Sequence, residues 1–174
     1  NELIKHLALV DRMQGNVSLD FDIQLDEEVR NFEIQGNYLH LIGQFNEVFG
    51  IERERFCTID LASWTLPFDQ IPIFSGGSED IVAIGDTIFL GGTFSRPGFS
   101  NAAFGAFRRS TSEWIETNLE TKGAVFDLEL QGDKLYISGR FRKIGAETRE
   151  YFASIDVQTL EINEDAFSFS GDSY

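Results

Sequence analysis

Few side chains in this chain have the type and spacing for chemistry. There are two histidines, His6 and His40, and one cysteine, Cys57. His6 stands alone near the start, and no spacing joins the two rings into a zinc pair of the helical or finger kind. A catalytic thiol needs a base beside it, and none is marked for Cys57. The stretch Asp20-Phe-Asp-Ile-Gln-Leu-Asp-Glu-Glu28 carries five acids. Asp20, Asp22 and Asp26 offer the oxygen ligands that a hard cation such as calcium takes. The stretch lacks the glycine and the spacing of a calcium loop, so its default reading is a solvated acidic connection. The loop Ser95-Arg-Pro-Gly-Phe-Ser-Asn101 is the other outlier. It reads as a contact tip, with Arg96, Phe99 and Asn101 as candidate binding residues. No nucleophile elbow and no basic-aromatic stripe stands out. Gly76-Gly77 reads as a turn, because no helix follows to hold a phosphate.

The elements that position these residues follow from composition. The 174 residues are 42% hydrophobic and 25% charged, a globular balance. Seventeen Phe suit half-buried strands and sixteen Gly supply turns. A net charge of −15 repels a phosphate backbone and anionic membrane surfaces, so nucleic acid is not expected as a partner. No apolar run is long enough for membrane insertion. A single cysteine rules out an internal disulfide. The first residue is Asn1 rather than Met, which leads us to expect a processed or excised piece.

Three segments align without gaps: Gly36-Asn-Tyr-Leu-His-Leu-Ile-Gly-Gln-Phe45, Gly85-Asp-Thr-Ile-Phe-Leu-Gly-Gly-Thr-Phe94 and Gly132-Asp-Lys-Leu-Tyr-Ile-Ser-Gly-Arg-Phe141. They lie 49 and 47 residues apart. A second pattern shares the period: Leu7–Asp11, Phe56–Asp60, Phe104–Arg108 and Phe152–Asp156. Two patterns on one period define an internal repeat.

Period-2 alternation divides each repeat into strands. Val29 to Gln35 and Tyr38 to Phe45 flank Gly36-Asn37, a tight hairpin turn. Arg55 to Leu61 is a third strand, and a short fourth is expected near Trp64 to Phe68, with counterparts at Trp114 and Ile162. Four antiparallel strands per repeat describe a propeller blade. The expected fold is therefore all-β, with about three and a half propeller repeats in an incomplete ring. Residues 1–28 form a partial blade and acidic connection, and 29–77, 78–124 and 125–174 form repeats. Gly43, Gly92 and Gly139 sit inside strands, where glycine implies a close approach. A neighbouring blade is the expected approaching group, with Phe45, Phe94 and Phe141 filling the space between blades.

At these residues the chain resembles the delta-60-type β-propeller repeats of large secreted and surface proteins, and the related repeats of fungal cortical polarity markers. Val125 to Phe141, with Gly145, Arg149 and Ala153 to Asp156, carries the resemblance most fully. Val29 to Phe45, with Gly50, Arg53 and Asp60, follows it. The middle copy departs, with Ser78 for Val, Asn101 for Arg and Arg108 for Asp. The resemblance implies a surface-structural or interaction role rather than catalysis.

Aligned copies give the reactive residues structural roles. His40 stands where the others have Phe89 and Tyr136. Cys57 matches Ala8, Gly105 and Ala153, so it reads as a small buried hydrophobe. Asp11, Asp60 and Asp156 are expected to cap turns. Arg53 and Arg149 are expected to reach carbonyls or carboxylates of a neighbouring blade. Propellers have four to eight blades, and an open arc leaves apolar end faces. The sequence thus predicts a non-catalytic module at the cell surface or outside the cell, whose partner is another copy or the rest of a parent chain. The alternative is a hydrolase or lyase with carboxylates in a propeller channel.

Overall fold

A computed structural model describes residues 7–17, 23–69, 72–99 and 102–164. The described residues contain thirteen strands and no helix. Three three-stranded antiparallel sheets carry the fold. The first joins β1 (Val29–Gln35), β2 (Tyr38–Gly43) and β5 (Phe56–Asp60), with β2 central. The second joins β6 (Ser75–Ile84), β7 (Thr87–Ser95) and β8 (Phe104–Arg108). The third joins β9 (Val125–Gln131), β10 (Lys134–Gly139) and β13 (Phe152–Asp156). Small hairpins, β3 (Glu47–Val48) with β4 (Ile51–Glu52) and β11 (Lys143–Ile144) with β12 (Glu147–Thr148), decorate the first and third. β6 starts at Ser75, so the second sheet begins ahead of position 78.

The expected fourth strand is not formed. Its place holds single bridges, Asp60 to Thr65, Phe107 to Trp114 and Ile155 to Ile162. The intervening turn places Trp64, Ser112 and Leu160 at left-handed φ of 57° to 58°, a conformation that does not propagate as a strand. The sheets are open, and none closes on itself.

Each inner hairpin turns on a glycine at positive φ, 58° at Gly36, 57° at Gly85 and 63° at Gly132. That conformation costs glycine nothing. Each pair then slips register. Arg30 is an extra residue in β1, Glu79 in β6 and Phe126 in β9. Opposite these bulges sit Gly43, Gly92 and Gly139. A Cβ there would collide with the carbonyl oxygens of Glu28, Gly77 and Ala124. The approach that demands glycine therefore comes from the paired strand of the same sheet, not from a neighbouring sheet. Bulges of this kind sharpen twist.

The sheets pack face on face in chain order. Ile42 and Phe56 of the first sheet meet Ile81, Ala83, Ile88 and Leu90 of the second. Val82, Phe89 and Phe104 of the second meet Leu128, Leu135 and Ile137 of the third. Phe94 and Phe141 are buried in these two layers, whereas Phe45 lies on the far side of the first sheet under Ile23 and Leu25.

One carboxylate spans all three sheets. Asp80 Oδ1 accepts from Asn31 Nδ2 at 2.6 Å and from the Ile81 amide at 2.8 Å. Its Oδ2 accepts the Leu128 amide at 2.6 Å. Burial pushes its pKa up, and the two backbone N–H groups oppose that shift. Every partner is a donor, so Asp80→Asn would turn an NH2 against donors. That substitution is expected to cost about 1–3 kcal/mol, read as a lower urea midpoint at unchanged slope.

Candidate functional site

The candidate contact tip is a hairpin. The amides and carbonyls of Arg96 and Phe99 exchange hydrogen bonds at 3.0 and 2.9 Å around Pro97-Gly98. Proline fixes one turn residue and Gly98 supplies φ of 82° at the next. The geometry brings Arg96 and Phe99 together, with the guanidinium 4.0 Å from the Phe99 ring centre and 5.3 Å from that of Trp114. Trp114 in turn packs on Phe74, Phe94 and Phe107. Asn101 lies outside the described residues. Arg96 is only 4% exposed, and its Nε and Nη2 have no hydrogen-bond acceptor among the described residues. Two parallel N–H donors suit a planar oxyanion, but both atoms here are closed to solvent. The arrangement is a stacked cation built into an aromatic cluster. Burial lowers its pKa, against the opposing charges of Glu116 and Glu120.

The acidic stretch does not assemble a cation site in the described residues. Asp26 Oδ1 accepts the amides of Asn46 and Glu47 at 2.8 and 2.9 Å, and Oδ2 accepts Asn46 Nδ2 at 3.1 Å. The Glu47 amide is the main reason its pKa is lowered. Asp20 and Asp22 lie outside the described residues. Among the described residues no group of three or more potential ligands gathers.

The repeated aspartates share one geometry. Asp11 Oδ1 accepts the amides of Met13 and Gln14, Asp60 those of Ala62 and Ser63, and Asp156 those of Gln158 and Thr159, all within 3.1 Å. The middle repeat has Arg108 instead. There Asp86, from the hairpin turn, takes the Ser110 amide at 3.0 Å and hydroxyl at 2.6 Å.

Arg53 donates to the carbonyls of Glu52 and Phe68 at 2.7 and 3.0 Å. Arg149 donates to the Thr148 carbonyl at 3.3 Å and pairs with Glu147 at 2.7 Å. Both stay within their own repeats instead of bridging to a neighbour, because each follows a short hairpin that returns the side chain to its own loop. A cleft of about 550 Å³ beside Arg53 is walled by Phe49, Ile51, Trp64 and Leu66.

Polar links between sheets come from residues that motif reading passes over. Asn31 and Asp80 are one pair, and Arg30 with Glu79, at 2.8 Å, is another. Arg109 donates to Gln35 at 3.0 Å and lies 4.4 Å from the Tyr38 ring centre. The available signal is positional: Asn31, Asp80 and Asp127 stand at one offset ahead of each turn glycine.

His40 is fully buried between the first two sheets, with Nδ1 2.9 Å from Thr58 Oγ1. It stacks on Phe56, and Nε2 has no hydrogen-bond partner among the described residues. Cys57 is buried and unpaired, and burial pushes its thiol pKa up, away from the reactive thiolate. Comparison with protein-family models and with curated proteins found no match.

Burial, reinforced by the Arg109 charge, depresses the His40 pKa from 6.5 to about 4. The folded state therefore refuses a proton that the unfolded chain accepts. His40's contribution is complete above pH 6.5 and is lost as pH falls toward about 4, a loss on the order of 3 kcal/mol. His40→Phe, the residue type at the equivalent Phe89, should flatten that dependence in denaturant titrations at pH 7.5 and pH 5. A second expectation concerns the tip. Arg96→Met keeps side-chain volume against Phe99 and Trp114 and removes an unpaired fork, so it should leave stability unchanged or raised, whereas Arg96→Ala also loses that packing and should cost about 1–2 kcal/mol. Equal losses in the two variants would show that the fork has an acceptor.

Proposed function

We propose that the chain is a non-catalytic interaction or structural module of a secreted or surface repeat protein, made of propeller-type blades that further blades complete. One observation carries this reading. The first sheet docks on the second through Asn31, Glu33, His40, Ile42, Phe56 and Thr58. The second docks on the third through the equivalent Asp80, Val82, Phe89, Phe104 and Ala106. The third sheet carries Asp127, Glu129, Tyr136 and Phe152 at those same positions, on the face turned away from the second, while Ser154 there is buried and accepts Asn163 Nδ2. Tyr136 and Phe152 stack at 5.9 Å, and Phe126, the bulged residue before Asp127, is 51% exposed. A face that twice serves as an interface supports docking a third time.

The alternative, an enzyme using channel carboxylates, draws on Glu33, whose pKa is raised by burial and by the charges of Asp80 and Glu129. Asp80 is already held by three donors as a brace between sheets, which favours the first reading. The resemblance to secreted repeat families supports a location at the cell surface or outside the cell, with protein as the partner.

Light scattering on a sizing column tests assembly by copies. The expected mass exceeds the 19.7 kDa of one chain and rises with concentration, and Tyr136→Glu returns it to one chain. A single chain across the micromolar to millimolar range would overturn assembly by copies.

A further inference from the structure

The opposite end of the stack carries a half-built sheet. Asp11 caps its turn as Asp60 and Asp156 cap theirs, and Val10 bridges to Val17 as Asp60 does to Thr65 and Ile155 to Ile162. Residues 10–17 thus have the closing turn of a repeat, and Leu7 to Asp11 stand at the place of its third strand with Val10 alone bridged. They also dock like one. Leu7 packs on the core of the first sheet's outer face, as Phe56 packs on that of the second and Phe104 on that of the third.

What the described residues do not supply is the inner hairpin that accompanies such a strand elsewhere. The consequence shows on the first sheet. Ile81 and Leu128, on the equivalent faces of the second and third sheets, are 3% and 4% exposed under the hairpin of the sheet before. Phe32 occupies the same position and is 49% exposed, and Ile34 two residues on is 56% exposed. The rest of that face is covered: Leu39, Leu41, Cys57 and Ile59 are buried beneath Leu7, Ile23 and Leu25. The bare area is confined to the footprint of one hairpin.

We infer that Phe32 and Ile34 form a docking site for a β-hairpin of this repeat's own type, which lies beside residues 7–11 and completes their sheet. This deepens the proposed function, on which it rests, by naming the occupant at this end: two antiparallel strands joined by a Gly-Asn or Gly-Asp turn, with an aromatic-type and an aliphatic residue, as at His40 and Ile42, facing Phe32 and Ile34. The site is continuous with an interface that the chain forms twice, between β1–β2 and β6 and between β6–β7 and β9.

A full-chain extension tests it. A second copy of Glu28–Phe49 is placed directly ahead of Asn1, which restores the repeat spacing because Leu7 then follows the hairpin as Phe56 does. Ile34→Cys in the original position serves as the probe, and buried Cys57 stays silent while the fold holds. The control carries the same insert with its His40 and Ile42 counterparts replaced by Asp. The expected result is alkylation of the Ile34→Cys thiol by iodoacetamide at least about tenfold slower with the intact insert than with the control, as for a site exposed only by local opening. Phe32→Cys should report the same protection. Equal rates with both probes, while Cys57 remains unreactive, would overturn the hairpin site. Light scattering on the unextended chain separates the outcomes: assembly with no protection sinks this inference and leaves the proposed function standing.

Discussion

The close backbone approach opposite Gly43, Gly92 and Gly139 is the constraint on which the rest of the structure depends. Each inner strand carries one residue too many for its partner, and only a glycine lets the partner's backbone pass the surplus. The bulged residues Arg30, Glu79 and Phe126 immediately precede Asn31, Asp80 and Asp127. The slip therefore aims those side chains out of their own sheet. At Asp80 the result is a carboxylate that gathers donors from three sheets at once. Packing of the apolar layers follows the alternation that the bulge sets, with Ile88 and Leu90 on one side of β7 and Phe89 on the other.

Much of the fold was legible because it repeats. A glycine-started turn between alternating strands has a local cause, and three copies on one period remove ambiguity about which residues share a face. The third strands and the aspartate caps were legible for the same reason. The fourth strand was not. Trp64 to Phe68 has the apolar content of a strand, but the left-handed turn before it leaves room for a single bridge. The glycine inside Gly-x-Phe was legible as a close approach, but not the partner. A missing Cβ signals crowding without saying whether the crowd is in the same sheet or the next.

The candidate sites divide along the same line. His40, Cys57 and the capping aspartates take their roles from the positions they share with inert counterparts. Arg96 has no counterpart, and its residue type fitted a surface contact. Its burial depends on Trp114, which packs on Phe74, Phe94 and Phe107; of these only Phe94 is a sequence neighbour, and the others meet it only in the fold. Arg53 and Arg149 have the residue type that reaches a neighbouring sheet, whereas their bonds run to carbonyls and a carboxylate of their own repeats.

The substitution of Asp86 for the absent aspartate at Arg108 has a consequence for how such a chain can change over time. The loop after the third strand lies against the hairpin turn of its own repeat, as the bond from the Arg109 amide to the Asp86 carbonyl shows, so either side of that gap can provide the acceptor. Loss of the acceptor on one side is then survivable if the other already holds one, and Asp133 stands ready at the same turn position in the last repeat. A lineage can exchange the two solutions by separate single steps, each leaving the loop anchored, which gives the copies a neutral route by which to drift apart in sequence while keeping one backbone.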